Sequence, residues 1–236
     1  MLLIAHRSGP DTYPEQTIIS GREALSLGAD MVELDCRPTA DGQVAMTHDP
    51  NLMRIFGVDK MITDIDASEF RTYRHAADPC FSSHMMEDVF RCGLKPLLIH
   101  VKDPAVLPAL LTLIDQYDYV ENVTIGVTLP SDIARIKAHN PKIKVLAFLH
   151  VPKDLEAAVA QGVDYIRLWE EWLAPEMVKA VKDSGCGLWV MSGSIAKKNV
   201  GYPSAENLKK ILSYEPDGLL INQIRFAKSV INAKCQ

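Results

Sequence analysis

The chain has 236 residues, 47% of them hydrophobic and 23% charged, with 30 acidic against 25 basic side chains and a net charge of −5. That length fits one α/β barrel, which takes about 250 residues, and the composition is that of a folded domain rather than a disordered or fibrous chain. An acidic balance with no basic stripe excludes bulk nucleic-acid binding, and no apolar run approaches the ~20 residues of a membrane anchor.

The chain opens on a predicted strand, Leu2–His6, whose apolar stretch Leu2-Leu3-Ile4-Ala5 is too short for the apolar region of a signal peptide. A helix is predicted over Gln16–Leu27, then a strand over Met31–Cys36 that pairs across the Asp41-Gly42 turn with a short strand, Gln43–His48. Short helices follow at Ala67–Tyr73 and His84–Cys92. From there strands and helices alternate. The strands are Leu97–Lys102, Val123–Val127, Lys144–Leu149, Tyr165–Trp169, Gly187–Met191 and Gly218–Asn222. The helices between them are Ala105–Tyr117, Ser131–His139, Asp154–Gln161, Pro175–Ser184 and Ser204–Ser213. Pro175 near a helix start and Gly28, Gly162 and Gly185 past helix ends are the matching punctuation. Five scattered cysteines (Cys36, Cys80, Cys92, Cys186 and Cys235) form no C-x-x-C pair, which predicts free thiols in a reducing, cytoplasmic setting.

Eight strands alternating with helices predict an α/β fold, a (β/α)8 TIM barrel forming one domain over residues 1–236. Residues 49–95 break the alternation and are predicted to be an insertion after the second βα unit, folding over the rim. An open doubly wound sheet is the alternative, but no G-x-G-x-x-G follows the first strand.

The polar residues concentrate at strand exits, where barrel active sites are built. Strand alternation turns Glu33 and Asp35 to one side and Val32 and Leu34 to the other; the same rule turns His100 and Lys102 inward. Two carboxylates on one face need a cation between them. Either they form an oxygen-rich site for a divalent metal, or they make salt bridges to Arg7 and Lys102. His6 and His48, beside Arg7, Glu33 and Asp35, point to acid–base catalysis on an anionic substrate.

The runs Ile4-Ala5-His6-Arg7, Tyr13-Pro14-Glu15-Gln16-Thr17, Gly28-Ala29-Asp30-Met31-Val32-Glu33-Leu34-Asp35, Thr39-Ala40-Asp41-Gly42 and His48-Asp49-Pro50-Asn51-Leu52-Met53-Arg54 together resemble the glycerophosphodiester phosphodiesterase family. The resemblance implies a barrel that cleaves small glycerophosphodiesters to glycerol 3-phosphate and an alcohol. It implies His6 and His48 as general acid and base, and Arg7, Glu15, Lys102 and Trp189 as substrate-binding residues. Glu33 and Asp35 would hold one divalent cation, Mg²⁺ or Ca²⁺. Oligomeric state is not implied.

The chain departs from the family pattern at the rim. The family's I-E-I-K reads Ile99-His100-Val101-Lys102, so a metal-binding Glu becomes His100. As a ligand, His100 opens the site to Mn²⁺ or Zn²⁺; protonated, it would stand in for part of the metal's charge. The late W-T-x-N reads Trp189-Val190-Met191-Ser192, the final T-D reads Ile221-Asn222, and the glycine after H-R is Ser8. Arg167 and Trp169 alternate inward on one strand, as a headgroup wall or as barrel filler. These departures leave two alternatives to the hydrolase: a non-catalytic phosphate-binding barrel, and a related barrel phosphodiesterase with another substrate.

Overall fold

The structure, a computed structural model, describes residues 1–233. Its nine strands are β1 (Leu2–Ala5), β2 (Met31–Pro38), β3 (Val44–Met46), β4 (Leu97–Val101), β5 (Val123–Val127), β6 (Lys144–Phe148), β7 (Tyr165–Trp169), β8 (Gly187–Met191) and β9 (Gly218–Ile221). Eight of them are parallel and run β1-β9-β8-β7-β6-β5-β4-β2, and β1 pairs back onto β2 to close the barrel. The ninth, β3, is antiparallel to the far end of β2, with Cys36 opposite Met46. The fold is therefore the (β/α)8 barrel that the alternation predicts. Among the described residues, no helix is long and apolar enough to cross a membrane, and Cys36, Cys80, Cys92 and Cys186 are free thiols. Cys235 lies outside the described residues.

Strand alternation divides the core into two layers. Outward residues such as Leu3, Val32, Leu34, Ile99, Ile125 and Val190 pack under the helices. Inward residues Ile4, Leu98, Leu146, Phe148, Trp189, Met191 and Leu220 fill the barrel as a separate cluster. This interior plug is the floor on which the rim residues stand.

The helix ends follow local chemistry. Thr17 and Ser204 cap the helices Ile18–Ser26 and Ala205–Ser213, accepting the Ser20 and Asn207 N–H groups at 3.2 and 3.1 Å. Pro130 and Pro175 occupy first-turn positions, where a missing N–H costs nothing. A helix that the sequence reading omits, Ile224–Ala233, follows β9 and buries Ile224, Ala227 and Val230. Between β3 and β4 lie the short helices Met53–Phe56, Ala67–Phe70 and Met86–Arg91. Leu52, Ile55, Phe56, Ile62, Ile65, Phe70 and Met85 give that stretch its own apolar cluster, joined by Ala45 of β3.

Candidate active site

β1 ends at Ala5, and the chain turns at once through His6–Ser8, with Arg7 (φ 51°) and Ser8 (φ 67°) in the left-handed region. That backbone is costly for a residue with a Cβ. It explains physically why the resembling pattern carries glycine where this chain has Ser8. The turn aims the Arg7 N–H at Glu33 Oε2, 2.7 Å away. The Ser8 hydroxyl oxygen in turn accepts the Thr17 N–H at 3.3 Å.

Glu33 and Asp35 point into the barrel and are 0% and 1% exposed. Each spends one oxygen on a protein donor: Glu33 Oε2 on the Arg7 N–H, and Asp35 Oδ2 on the Gln16 amide at 2.6 Å. The other oxygens, Glu33 Oε1 and Asp35 Oδ1, have no hydrogen-bond partner. Both lie beside His100 Nδ1, at 3.8 and 3.2 Å, because Asp35 and His100 are register neighbours on β2 and β4. Three donor atoms within 4.8 Å of one another, two of them unsatisfied buried oxygens, suit a divalent cation.

The salt-bridge alternative accounts for less. The Arg7 guanidinium turns away to Glu15, Nη1 to Oε2 3.1 Å, and Lys102 Nζ stands 3.8 Å from Asp35 Oδ1. Burial and the neighbouring Asp35 push the Glu33 carboxyl well up. Burial also acts to raise Asp35, but His100 and Lys102 overcome it and hold Asp35 well below the usual carboxylate range. The pair thus carries less than two full negative charges until a cation joins it. Burial, followed by the charge of Lys102, pulls His100 down to about 4, which makes it a neutral donor rather than a resident cation.

The two catalytic candidates have different partners. His6 Nδ1 is 2.6 Å from Asn222 Oδ1, and the Asn222 amide faces the Val200 carbonyl at 3.5 Å. An amide oxygen only accepts, so we assign the His6 proton to Nδ1, leaving Nε2 a bare lone pair. Gly201 makes this possible, since a Cβ there would sit 2.2 Å from Asn222 Oδ1. Burial, with Arg7 next, lowers His6 to about 3. His48 Nδ1 is 2.6 Å from the Asp49 carboxylate, and its Nε2 faces Lys102 Nζ at 3.2 Å. The His48 carbonyl is held by Arg37 Nε at 2.9 Å.

His6, Arg7, Asp35, His48, His100 and Lys102 converge on one cavity of about 540 Å³. Glu33 lies beneath it, and Glu15 sits beside Arg7. Arg54 contacts both Glu15 and Asp49, so a continuous ionic chain joins Arg7 to His48. The far wall is a stack. The His100 ring lies on Phe148 with centroids 3.8 Å apart and planes 1° apart, and Arg167 lies over Phe148 at 4.9 Å and Trp169 at 4.0 Å. Gly126 admits Phe148 to this position, because a Cβ there would meet the ring at 2.3 Å.

Trp189 is a correction. The resemblance makes it a substrate contact, but it is fully buried in the barrel plug, stacked on Tyr165 at 4.6 Å, and does not line the cavity. A motif match along a strand fixes which face a residue is on, not its depth below the rim.

Three further residues of the site had no assigned role in the sequence reading. Gln16 orients Asp35 from both sides, its amide donating to Oδ2 and its carbonyl accepting the Asp35 N–H at 3.3 Å. Asp49 backs His48, and the pair His48-Asp49 was the one local signal available for it. Asn222 holds His6 across 216 positions of sequence, a distance over which no local pattern speaks.

The chain is similar to known proteins in sequence and in fold. The profile of the glycerophosphoryl diester phosphodiesterase family matches residues 6–185. The chain is 29% identical to mouse lysophospholipase D GDPD3 over 155 residues, 60% of this chain and 47% of that protein. It spans about half or less of the length of the lysophospholipase D relatives it matches. It is 25% identical to a glycerophosphodiester phosphodiesterase of Caldanaerobacter subterraneus subsp. tengcongensis over 241 residues, 95% of this chain and 98% of that one. An Oleispira antarctica phosphodiesterase, solved in complex with the product sn-glycerol-3-phosphate, shares the fold at a TM-score of 0.81 and 16% identity, over 98% of this chain and 97% of that one. With a profile covering more than half of its length, and the motif residues gathered at one barrel mouth, the chain belongs to the glycerophosphoryl diester phosphodiesterase family.

Proposed function

We propose that this chain hydrolyses glycerophosphodiesters to glycerol 3-phosphate and an alcohol, with His6 as general base and His48 as general acid. The observation that carries this reading is the unlike backing of the two imidazoles. His6 rests on a neutral amide and keeps Nε2 free to accept a proton; His48 rests on the Asp49 carboxylate, which stabilises an imidazolium. His6 takes the proton of the nucleophile, water or the substrate's own glycerol hydroxyl, as its oxygen bonds to phosphorus; in the second case the product is a cyclic phosphate, and water must then add to phosphorus and break one ring P–O bond to give glycerol 3-phosphate. His48 gives a proton to the alkoxide released as the P–O bond to the alcohol breaks.

Arg7 offers the phosphate a planar two-point contact, held in place by Glu15. Lys102 supplies a mobile point charge beside His48. Glu33, Asp35 and His100 fit one divalent cation, which supplies positive charge to the phosphoryl oxygens. Two carboxylates favour Mg²⁺ or Ca²⁺, and the imidazole brings Mn²⁺ or Zn²⁺ within range. Residues 49–95 are read as an insertion over the rim that delivers Arg54 to Glu15 and Asp49. The free thiols favour a reducing, cytoplasmic setting.

A second reading, an acylated glycerophosphodiester as substrate, draws on Ile195, which lines the cavity while 60% exposed. One assay tests both. The purified chain is incubated with the glycerol phosphodiesters of choline, ethanolamine, glycerol and inositol, and with lysophosphatidylcholine, under Mg²⁺, Ca²⁺, Mn²⁺, Zn²⁺ or chelator. Release of glycerol 3-phosphate from the glycerol diesters, or of choline and acylglycerol 3-phosphate from lysophosphatidylcholine, is expected under a cation and not under chelator, with about 10²–10⁴ lost in His6→Ala and His48→Ala. No hydrolysis under any cation overturns the proposal.

A further inference from the structure

Arg167 is a buried cation with no anion. It is 5% exposed, lines the cavity, and its Nε and Nη1 have no hydrogen-bond partner. No carboxylate stands within ion-pair distance of it among the described residues. The other cations of the site are compensated, Arg7 by Glu15 and Lys102 by Asp35. Burial alone draws Arg167 down to about 9, so it stays charged at neutral pH. A lone charge held out of water is costly unless a partner joins it. Stacking on Trp169 and Phe148 offsets part of that cost.

Position and orientation show what would complete the site. In the closed barrel β7 is diametrically opposite β2, so Arg167 faces Glu33 and Asp35 across the mouth. Phe148 stands between Arg167 and His100, which sets the guanidinium one aromatic ring away from the candidate cation site. A short substituted alcohol spans that interval. Arg167 also lies on the aromatic surfaces that a choline group would use, and its charge repels any ammonium.

We propose that Arg167 is an oxyanion subsite, and that this chain selects diesters whose leaving alcohol carries a carboxylate or a phosphate group. The guanidinium fork matches either group through two parallel charge-assisted hydrogen bonds. The proposal rests on the diesterase reading above for the orientation of the substrate, but its binding test does not depend on turnover.

The test compares four diesters of glycerol 3-phosphate that differ only in the second alcohol: glycerol (neutral), glycerate (carboxylate), glycerol phosphate (phosphate) and choline (cation). Their affinities are measured by calorimetry under chelator, for the parent chain, Arg167→Met and Arg167→Lys, with circular dichroism to check folding. Selectivity in kcat/KM is measured separately with cation present. The parent chain is expected to bind at least one acidic diester tenfold or more tighter than the glycerol diester, with the choline diester weakest. The relative affinity of the glycerate and phosphate diesters then identifies which oxyanion the subsite takes. In Arg167→Met the preference should fall to within twofold, whereas Arg167→Lys should keep part of it. Equal affinity of the parent chain for all four diesters overturns the proposal, as does a preference that survives in folded Arg167→Met. If Arg167→Met does not fold, the discrimination shown by the parent chain and its reduction in Arg167→Lys decide the matter. Acidic diesters bound through Arg167 but never cleaved would overturn the hydrolase reading alone; all four cleaved with equal kcat/KM and bound equally would overturn this one alone.

Discussion

Lys102 Nζ lies 3.2 Å from His48 Nε2, so an ammonium faces the atom from which the proposed acid must deliver its proton. Burial lowers the His48 pKa, and Lys102 and Arg7 lower it further against the opposing pull of Asp35. An incoming phosphate would draw the ammonium away. His48 as an acid is competent below its pKa and fails as pH rises through it. Lys102→Met should therefore move the alkaline limb of kcat/KM to higher pH while lowering its maximum by about 10–100-fold, the worth of one charge-assisted contact at ~1.5–3 kcal/mol. An NMR titration of the His48 ring reads the same shift directly. An alkaline limb that stays in place would remove His48 from the acid role.

The opposite sign holds at His6. A base works above its pKa and is lost as pH falls through it, and at about 3 the His6 limb lies below most working conditions. Asn222→Asp places a carboxylate 2.6 Å from Nδ1 and must raise that pKa. The acidic limb of the rate profile is expected to rise into the measurable range, with the alkaline limb unmoved. Asn222→Ala leaves the tautomer unfixed and should cost about tenfold or more in kcat, a fraction of a whole acid–base contribution. A profile identical to the parent's in both variants would show that Asn222 does not control His6.

His100→Glu adds a third hard oxygen beside Glu33 Oε1 and Asp35 Oδ1. Calorimetry under each cation should find Mg²⁺ and Ca²⁺ affinity raised by about tenfold and Mn²⁺ or Zn²⁺ favoured less, since carboxylates suit hard ions. The new side chain also loses the stacking contact with Phe148, so part of the gain is offset by a lower thermal midpoint. Unchanged metal preference would place His100 outside the cation's reach.

Arg7→Lys keeps the charge and loses the fork. With Glu15 accepting from Nη1, the guanidinium is oriented before substrate arrives, an advantage a flexible ammonium lacks. A fall in kcat/KM of about 10–100-fold is expected, from one charge-assisted contact. Parent-like kinetics would make Arg7 a structural partner of Glu15 only.

Trp189 tests the boundary between floor and site. Trp189→Ala should cost about 3–5 kcal/mol of stability through loss of buried volume, whereas the gentler Trp189→Phe should lower the thermal midpoint and leave KM alone. A tenfold change in KM with an unaltered midpoint would return Trp189 to the binding surface.

These cases also mark how far the sequence reaches. Glu33 with Asp35, and His100 with Lys102, were legible as inward pairs because a strand repeats every two residues and the motif spacing fixed the phase. The strand at 123–127 matched residue for residue for the same reason, bounded by apolar β-branched residues. The helix at 224–233 was missed because its three buried residues are spread among polar ones after the last recognised strand. The roles of Gln16 and Asn222 could not be read at all: each is one long-range hydrogen bond, created by barrel closure. Trp189 was misplaced for the complementary reason, since height along the barrel axis is set by strand stagger and leaves no mark on composition.

Closure of the barrel between its first and last strands has a consequence for when the site comes into being. β1 finds its partner β9 only after nearly the whole chain has been synthesised, and the same event brings Asn222 to His6. Arg7, Glu33, Asp35, His48 and Lys102 all belong to the first half of the chain and are synthesised long before that. A nascent chain on the ribosome would thus hold the anion-binding half of its machinery while its base is still free to rotate. Under the proposed mechanism, turnover would report that folding has finished.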